Sequence, residues 1–112
     1  MKQKEIWLIQ LDPPAGAEMG KVRPGVIVNS NLVGILPLKV IAPLTDYKDK
    51  YNAVPWMVKI TPTHTNGLEK ISAIDVFQIR SVLKERLIKK IGDITDSDMK
   101  NVSEAIKLIF AC

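Results

Sequence analysis

Residues 94–110, ITDSDMKNVSEAIKLIF, carry the one sustained helical pattern in the chain, and their reading sets the fold class. Met99, Val102, Ile106 and Ile109 recur at the spacing that gathers side chains on one face of a helix. Thr95 is placed to cap the first turn, and Asp96 and Asp98 put negative charge where the helix dipole favours it. The stripe predicts a helix packed on a sheet. Lys100, Asn101, Ser103, Glu104 and Lys107 are then left in solvent, with a weak pair between Lys100 and Glu104.

Upstream of this helix the chain reads as short strands. Residues 5–11, EIWLIQL, are stopped by Asp12, Pro13 and Pro14; residues 24–29 and 38–43 are β-branched runs; residues 32–36 form a short strand or a turn broken by Gly34 and Pro37. Residues 56–60 follow Pro55, whose missing donor is tolerated at a strand start. A turn-rich segment leads through Asn66 and Gly67 to residues 71–74, and residues 87–91 give a last strand before Gly92. Strands at close spacing that end in one helix, with no α/β alternation, predict a mainly β, α+β fold. The expected form is a strongly bent antiparallel sheet or small SH3-like barrel, in one domain over residues 1–112.

The composition suits a folded globule, with 46% hydrophobic and 25% charged residues over 112 positions. Sixteen Lys and Arg against twelve Asp and Glu give a net charge of +4, compatible with a polyanion such as RNA or with an acidic protein segment. Cys112 is the only cysteine, so no disulfide forms within the chain. Lys2 and Lys4 precede a short strand and not an apolar signal core, and no apolar run approaches the ~20 residues needed to cross a bilayer. The expected home is a reducing cytoplasm, with no membrane contact.

Residues 16–30, GAEMGKVRPGVIVNS, place a glycine-punctuated cationic loop at the mouth of an apolar strand. Arg23 offers a planar fork of donors that matches phosphate oxygens; on local sequence alone it reads equally as a surface cation. Pro24 biases Arg23 toward extended backbone and removes a ladder donor, which puts the arginine at a strand entrance. The pattern repeats where residues 38–43 deliver Thr45 to a second loop mouth, before the lysine-rich residues 46–52. His64, the single histidine, lies in a turn without a second ligand-type residue at metal spacing, and reads as an exposed loop residue. In residues 75–81, DVFQIRS, period-2 alternation puts Gln78 and Arg80 on one strand face, as a buried network, an edge or a nucleic-acid site.

These residues carry a resemblance. EIWLIQLDPPAGAEMGKVRPGVIVNS resembles the N-terminal signature of the MazF/PemK family of toxin endoribonucleases, with its Asp-Pro turn, Gly-x-Glu-x-Gly loop and Arg-Pro strand entry. VIAPLT, FQIRSVLKERLIKKIG and the terminal amphipathic helix resemble later family segments, in the right order over nearly the whole chain.

The resemblance implies sequence-specific, metal-independent cleavage of single-stranded RNA, by a homodimer neutralised by a cognate antitoxin. Attack of a ribose 2′-hydroxyl on the adjacent phosphate would leave a 2′,3′-cyclic phosphate and a 5′-hydroxyl, with no cofactor. By motif matching Arg23 is the principal catalytic residue and stabilises charge, Thr45 hydrogen-bonds the scissile phosphate, and Glu18 acts as base or holds Arg23. Lys21 adds phosphate attraction, and Gln78 and Arg80 bind RNA or fix the site. Met19 stands where a polar residue is common, and Phe77 precedes Gln78 where many members carry an acid. A competing expectation is a non-enzymatic CcdB-like toxin of the same fold that binds DNA gyrase; its tryptophan-containing tail is replaced here by Ile109, Phe110, Ala111 and Cys112.

Overall fold

The structure, a computed structural model, describes residues 1–11 and 21–112. The chain runs through strands β1 (Glu5–Gln10), β2 (Val22–Ile27), β3 (Leu38–Asp46), β4 (Met57–Ile60), β5 (Ser72–Asp75), β6 (Arg80–Leu83) and β7 (Leu87–Asp93), then helix α1 (Asp96–Phe110). All pairings are antiparallel, in the order β4-β5-β3-β2-β1-β7, with β6 also on β3. In the curl β6-β3-β2-β1-β7 the two edge strands are consecutive in the chain, joined only by the 3-10 turn Lys84–Arg86. Of the two expected forms, this is the strongly bent sheet, left open between β6 and β7.

Alternation along the strands splits the apolar residues between two faces. Ile6, Val26 and Ala42 join one core cluster, while Ile9, Ile27 and Ile41 join a second. The first lies under α1, which buries Val102 and Ala105 and half-buries Met99, Ile106 and Ile109 against it. Thr95 and Asp98 close a reciprocal capping box: the Asp98 N–H donates to Thr95 Oγ1 at 3.0 Å and the Thr95 N–H to Asp98 Oδ2 at 3.1 Å. Glu104 pairs with Lys107 at 3.8 Å, three residues on, in place of the expected Lys100. Among the described residues no helix is long and apolar enough to cross a membrane.

Several expected boundaries move. Of the strand or turn expected over residues 32–36 it is the turn that forms, with the 3-10 turn Asn31–Val33 in this connection. β3 runs on through Thr45, which pairs with Ala73 and so lies inside the strand instead of at a loop mouth beyond it. The continuous strand expected over residues 75–81 is also replaced. β5 and β6 both run antiparallel to β3, Ile74 opposite Leu44 and Arg80 opposite Ile41. Five residues, 75–79, thus face only residues 42 and 43, and the excess bulges out as the 3-10 turn Val76–Gln78.

Proline chemistry accounts for where that bulge falls. The Val28 N–H donates to the Val40 carbonyl at 2.9 Å, so even-numbered residues of β3 bond toward β2 and odd-numbered ones toward β5 and β6. Pro43 therefore brings no N–H to the edge where the ladder breaks.

A second tight fit fixes the far end of the sheet. Gly67 has φ +68, and a Cβ there would fall 2.0 Å from the Ile91 carbonyl oxygen. Asn66, buried beneath this turn, accepts from the Thr63 and Leu68 N–H groups and donates to the Thr61 carbonyl.

Candidate active site

The same proline logic opens the sheet at the other end. Pro24 turns its nitrogen toward β3, so the β2–β3 ladder ends at the pair Gly25 and Pro43. Extending this register two residues past its last pair sets Arg23 across from Thr45, and both line the same two hollows. Arg23 is at once paired with Ile9 of β1, and Thr45 with Ala73 of β5, so both side chains rise from one row across four strands. Arg80 pairs with Ile41 and falls on the same face. Ile9, Ile27 and Ile41 of the second core lie on this same face, and Arg23 and Thr45 are half-buried at its margin.

An open cleft of about 320 Å³ is lined by Arg23, Thr45, Lys21, Gln78 and Arg80 together with Leu11, Pro43, Leu44, Tyr51 and Asp75. A shallower depression of about 490 Å³ adjoins it, sharing Lys21, Arg23, Leu44 and Thr45 and adding Lys48 and Asp46. Arg23 and Thr45 therefore stand on a saddle between two hollows. The root of the preceding loop is pinned, since the Leu11 N–H donates to the Lys21 carbonyl at 3.0 Å. Glu18, Met19 and the glycines at 16 and 20 lie outside the described residues.

Two polar cleft residues, Tyr51 and Asp75, were not among the site residues expected from sequence. Tyr51 enters from the 3-10 turn Asp49–Ala53, its ring edge-on to Tyr47 at 6.2 Å, with Lys59 Nζ 4.7 Å from the Tyr47 ring centroid. Asp75 ends β5 at the start of the bulge; its Oδ2 accepts from Gln78 Nε2 at 2.9 Å, while its buried Oδ1 has no hydrogen-bond partner among the described residues. Phe77, beside Gln78, is exposed and packs on Trp56 at 5.5 Å. His64 is exposed in its turn.

The groups whose acidity is shifted lie elsewhere. Burial alone would raise the Glu5 carboxyl, but the Trp7 indole N–H, the backbone hydrogen bond at Lys2, the N-terminal ammonium and Lys90 outweigh it and hold Glu5 below the ordinary value. Asp96 is lowered by its hydrogen bond with Lys4 and by that residue's charge.

The chain matches the family model described as PemK-like, MazF-like toxin of type II toxin-antitoxin system over residues 2–110. It is 31% identical to endoribonuclease MazF9 of Mycobacterium tuberculosis over 96% of this chain and 94% of that protein. With endoribonuclease EndoA of Bacillus subtilis it shares 30% identity over 99% of this chain and 95% of the relative. Among solved structures it is similar to the Mycobacterium tuberculosis toxin MazF-mt6, with a TM-score of 0.77, 24% identity and 96% of each chain covered. A mycobacterial endoribonuclease in complex with its cognate antitoxin gives a TM-score of 0.79 at 17% identity, covering 99% of this chain and 95% of that one. At these identities the structural likeness speaks for the fold.

Proposed function

Because this chain belongs to the PemK-like, MazF-like toxin family of type II toxin-antitoxin systems, we propose that it is an endoribonuclease toxin that cuts single-stranded RNA at a short sequence in the cytoplasm. The observation that carries this reading is the saddle: a fork of permanent positive charge and a hydroxyl, opposite one another on adjacent strands, with a hollow on either side. An extended polyanion crosses such a saddle with one phosphate at the crest. The flanking nucleotides then occupy the two hollows.

RNA supplies its own nucleophile. The 2′-hydroxyl gives up its proton and its oxygen bonds to phosphorus; the bond to the 5′-oxygen breaks, and that oxygen takes a proton. The products are a 2′,3′-cyclic phosphate and a 5′-hydroxyl, without a metal. Arg23 donates to the non-bridging oxygens as charge builds on them, and Thr45 adds a neutral hydrogen bond to the same phosphate. Lys21 strengthens the field over the crest, Gln78 and Arg80 hold RNA in the 320 Å³ cleft, and Glu18 acts as base or orients Arg23. An acidic antitoxin segment that folds across this surface competes with RNA for the same cations.

The active unit is a homodimer, and the protomer offers a surface for it. Leu32, Ile35, Leu36, Leu38 and Leu83 are all exposed, gathered where the turn after β2 meets the paired start of β3 and end of β6. The test is incubation with a long unstructured RNA in EDTA, with Arg23→Ala alongside and product ends mapped by mass. Discrete cuts ending in cyclic phosphate, absent in the variant, are expected; intact RNA would overturn the reading and make gyrase binding the next assay.

A further inference from the structure

We infer that the 320 Å³ cleft is a base-reading pocket, in which Tyr51 stacks one nucleobase and Asp75, set by Gln78, reads an N–H on that base. The inference rests on the RNA-cleaving reading above and adds a specificity device to it. A buried acceptor without a partner is rare in a native fold and commonly marks the place of a ligand group. Asp75 Oδ1 is such an atom, in the wall of a cleft that already holds Arg23 and Thr45. Its other oxygen is committed: Gln78 Nε2 donates to Oδ2 at 2.9 Å. That bond leaves the Gln78 carbonyl and its second N–H free, among the described residues, for the same base edge.

Tyr51 supplies the platform. Its edge-on contact with Tyr47, itself faced by Lys59, helps to hold the ring in the cleft wall. Lys50 Nζ lies 5.9 Å from the Tyr51 centroid, at the outer limit of cation–π attraction, where a stacked base exchanges for it readily. Base–aromatic stacking tolerates any sequence, so selectivity falls to the hydrogen-bonding wall. A carboxylate oxygen accepts only. It rewards a base that presents an amino or imino hydrogen there and penalises one that presents a lone pair.

Asp75→Asn inverts this requirement. The Gln78 N–H still needs an acceptor, so the carbonyl oxygen of the substituted side chain takes the position of Oδ2 and its amide NH₂ takes that of Oδ1. The expected result is a change of preferred base at one position of the cleavage motif, with the other positions and the cyclic-phosphate ends kept. Tyr51→Ala should lower kcat/KM at the preferred site on the order of ten- to a hundredfold, and Tyr51→Phe should retain it.

A second measurement needs no variant. Purine riboside, whose Watson–Crick edge has no N–H, placed at the read position should be cut at least about tenfold more slowly than the preferred base. An unchanged motif in Asp75→Asn, equal cutting of the purine riboside substrate, or a loss confined to antitoxin neutralisation would overturn the pocket and leave the nuclease reading intact. No cleavage by the unaltered protein would overturn both.

Discussion

Ile35→Ala should dissolve the proposed dimer while leaving the protomer folded. Ile35 is 97% exposed and Leu32 94% exposed, so neither contributes measurably to the core of its own chain. Truncating Ile35 removes about three methylene equivalents, worth about 2.4 kcal/mol if a partner buries them, at about 0.8 kcal/mol each. A two-fold axis repeats the loss on the other protomer, giving about 5 kcal/mol per dimer, or between roughly three and four orders of magnitude in Kd. Sedimentation velocity over a concentration series from nanomolar to tens of micromolar reads this directly. The unfolding free energy of the monomeric species should stay within about 0.5 kcal/mol of the parent protomer. A parent protein that sediments as a monomer at tens of micromolar, or a variant with an unaltered Kd, would refute the assignment of this face.

Gly67→Ala should destabilise the fold by about 2–5 kcal/mol, combining left-handed backbone strain with the clash at the Ile91 carbonyl; a loss under about 1 kcal/mol in urea titration would contradict that contact. Thr95→Ala removes one side of the capping box and should cost about 0.5–2 kcal/mol in the same assay. Thr45→Val, nearly isosteric but without a donor, should lower kcat on the order of a hundred- to a thousandfold in single-turnover cleavage with the unfolding temperature unchanged. Glu5 has a folded pKa below its ordinary unfolded value, so its stabilisation is present above that value and lost as pH falls through the folded one. Thermal melts between about pH 5 and pH 2 should show a shallower acid decline for Glu5→Gln than for the parent.

Helix α1 was legible to its cap, because Thr95, the acidic first turn and the stripe from Met99 to Ile109 all point to the same element. The approach of Arg23 to Thr45 was half legible. Pro24 announced the end of a ladder, but the register that sets the two residues opposite one another depends on pairing through Gly25 and Pro43, which no local pattern encodes. The bulge was hidden for a different reason. Val76 and Ile79 are apolar and Gln78 and Arg80 polar, a sequence that alternates as well for a strand as for a strand, a turn and a second strand. The break belongs to Pro43, a residue more than thirty positions away. Tyr51 could not be read from its surroundings, because a tyrosine in a lysine-rich polar run acquires its meaning only when the turn Asp49–Ala53 folds it into the cleft.

The bulge also works as a phase slip. Along an unbroken strand, adding or deleting one residue would turn every later side chain to the opposite face. Here the ladder is anchored independently on both sides, Ile74 on Leu44 and Arg80 on Ile41, Asp75 and Val76 are held by Met57, Trp56 and the core, and the exposed Phe77 and Gln78 form the slack between them. Length changes at residues 77–78, the exposed part of the turn, should thereby be absorbed locally. The wall proposed to read the RNA can be rewritten, lengthened or shortened while Arg80 and the buried Val82 keep their faces, so a new recognition sequence does not require a new sheet.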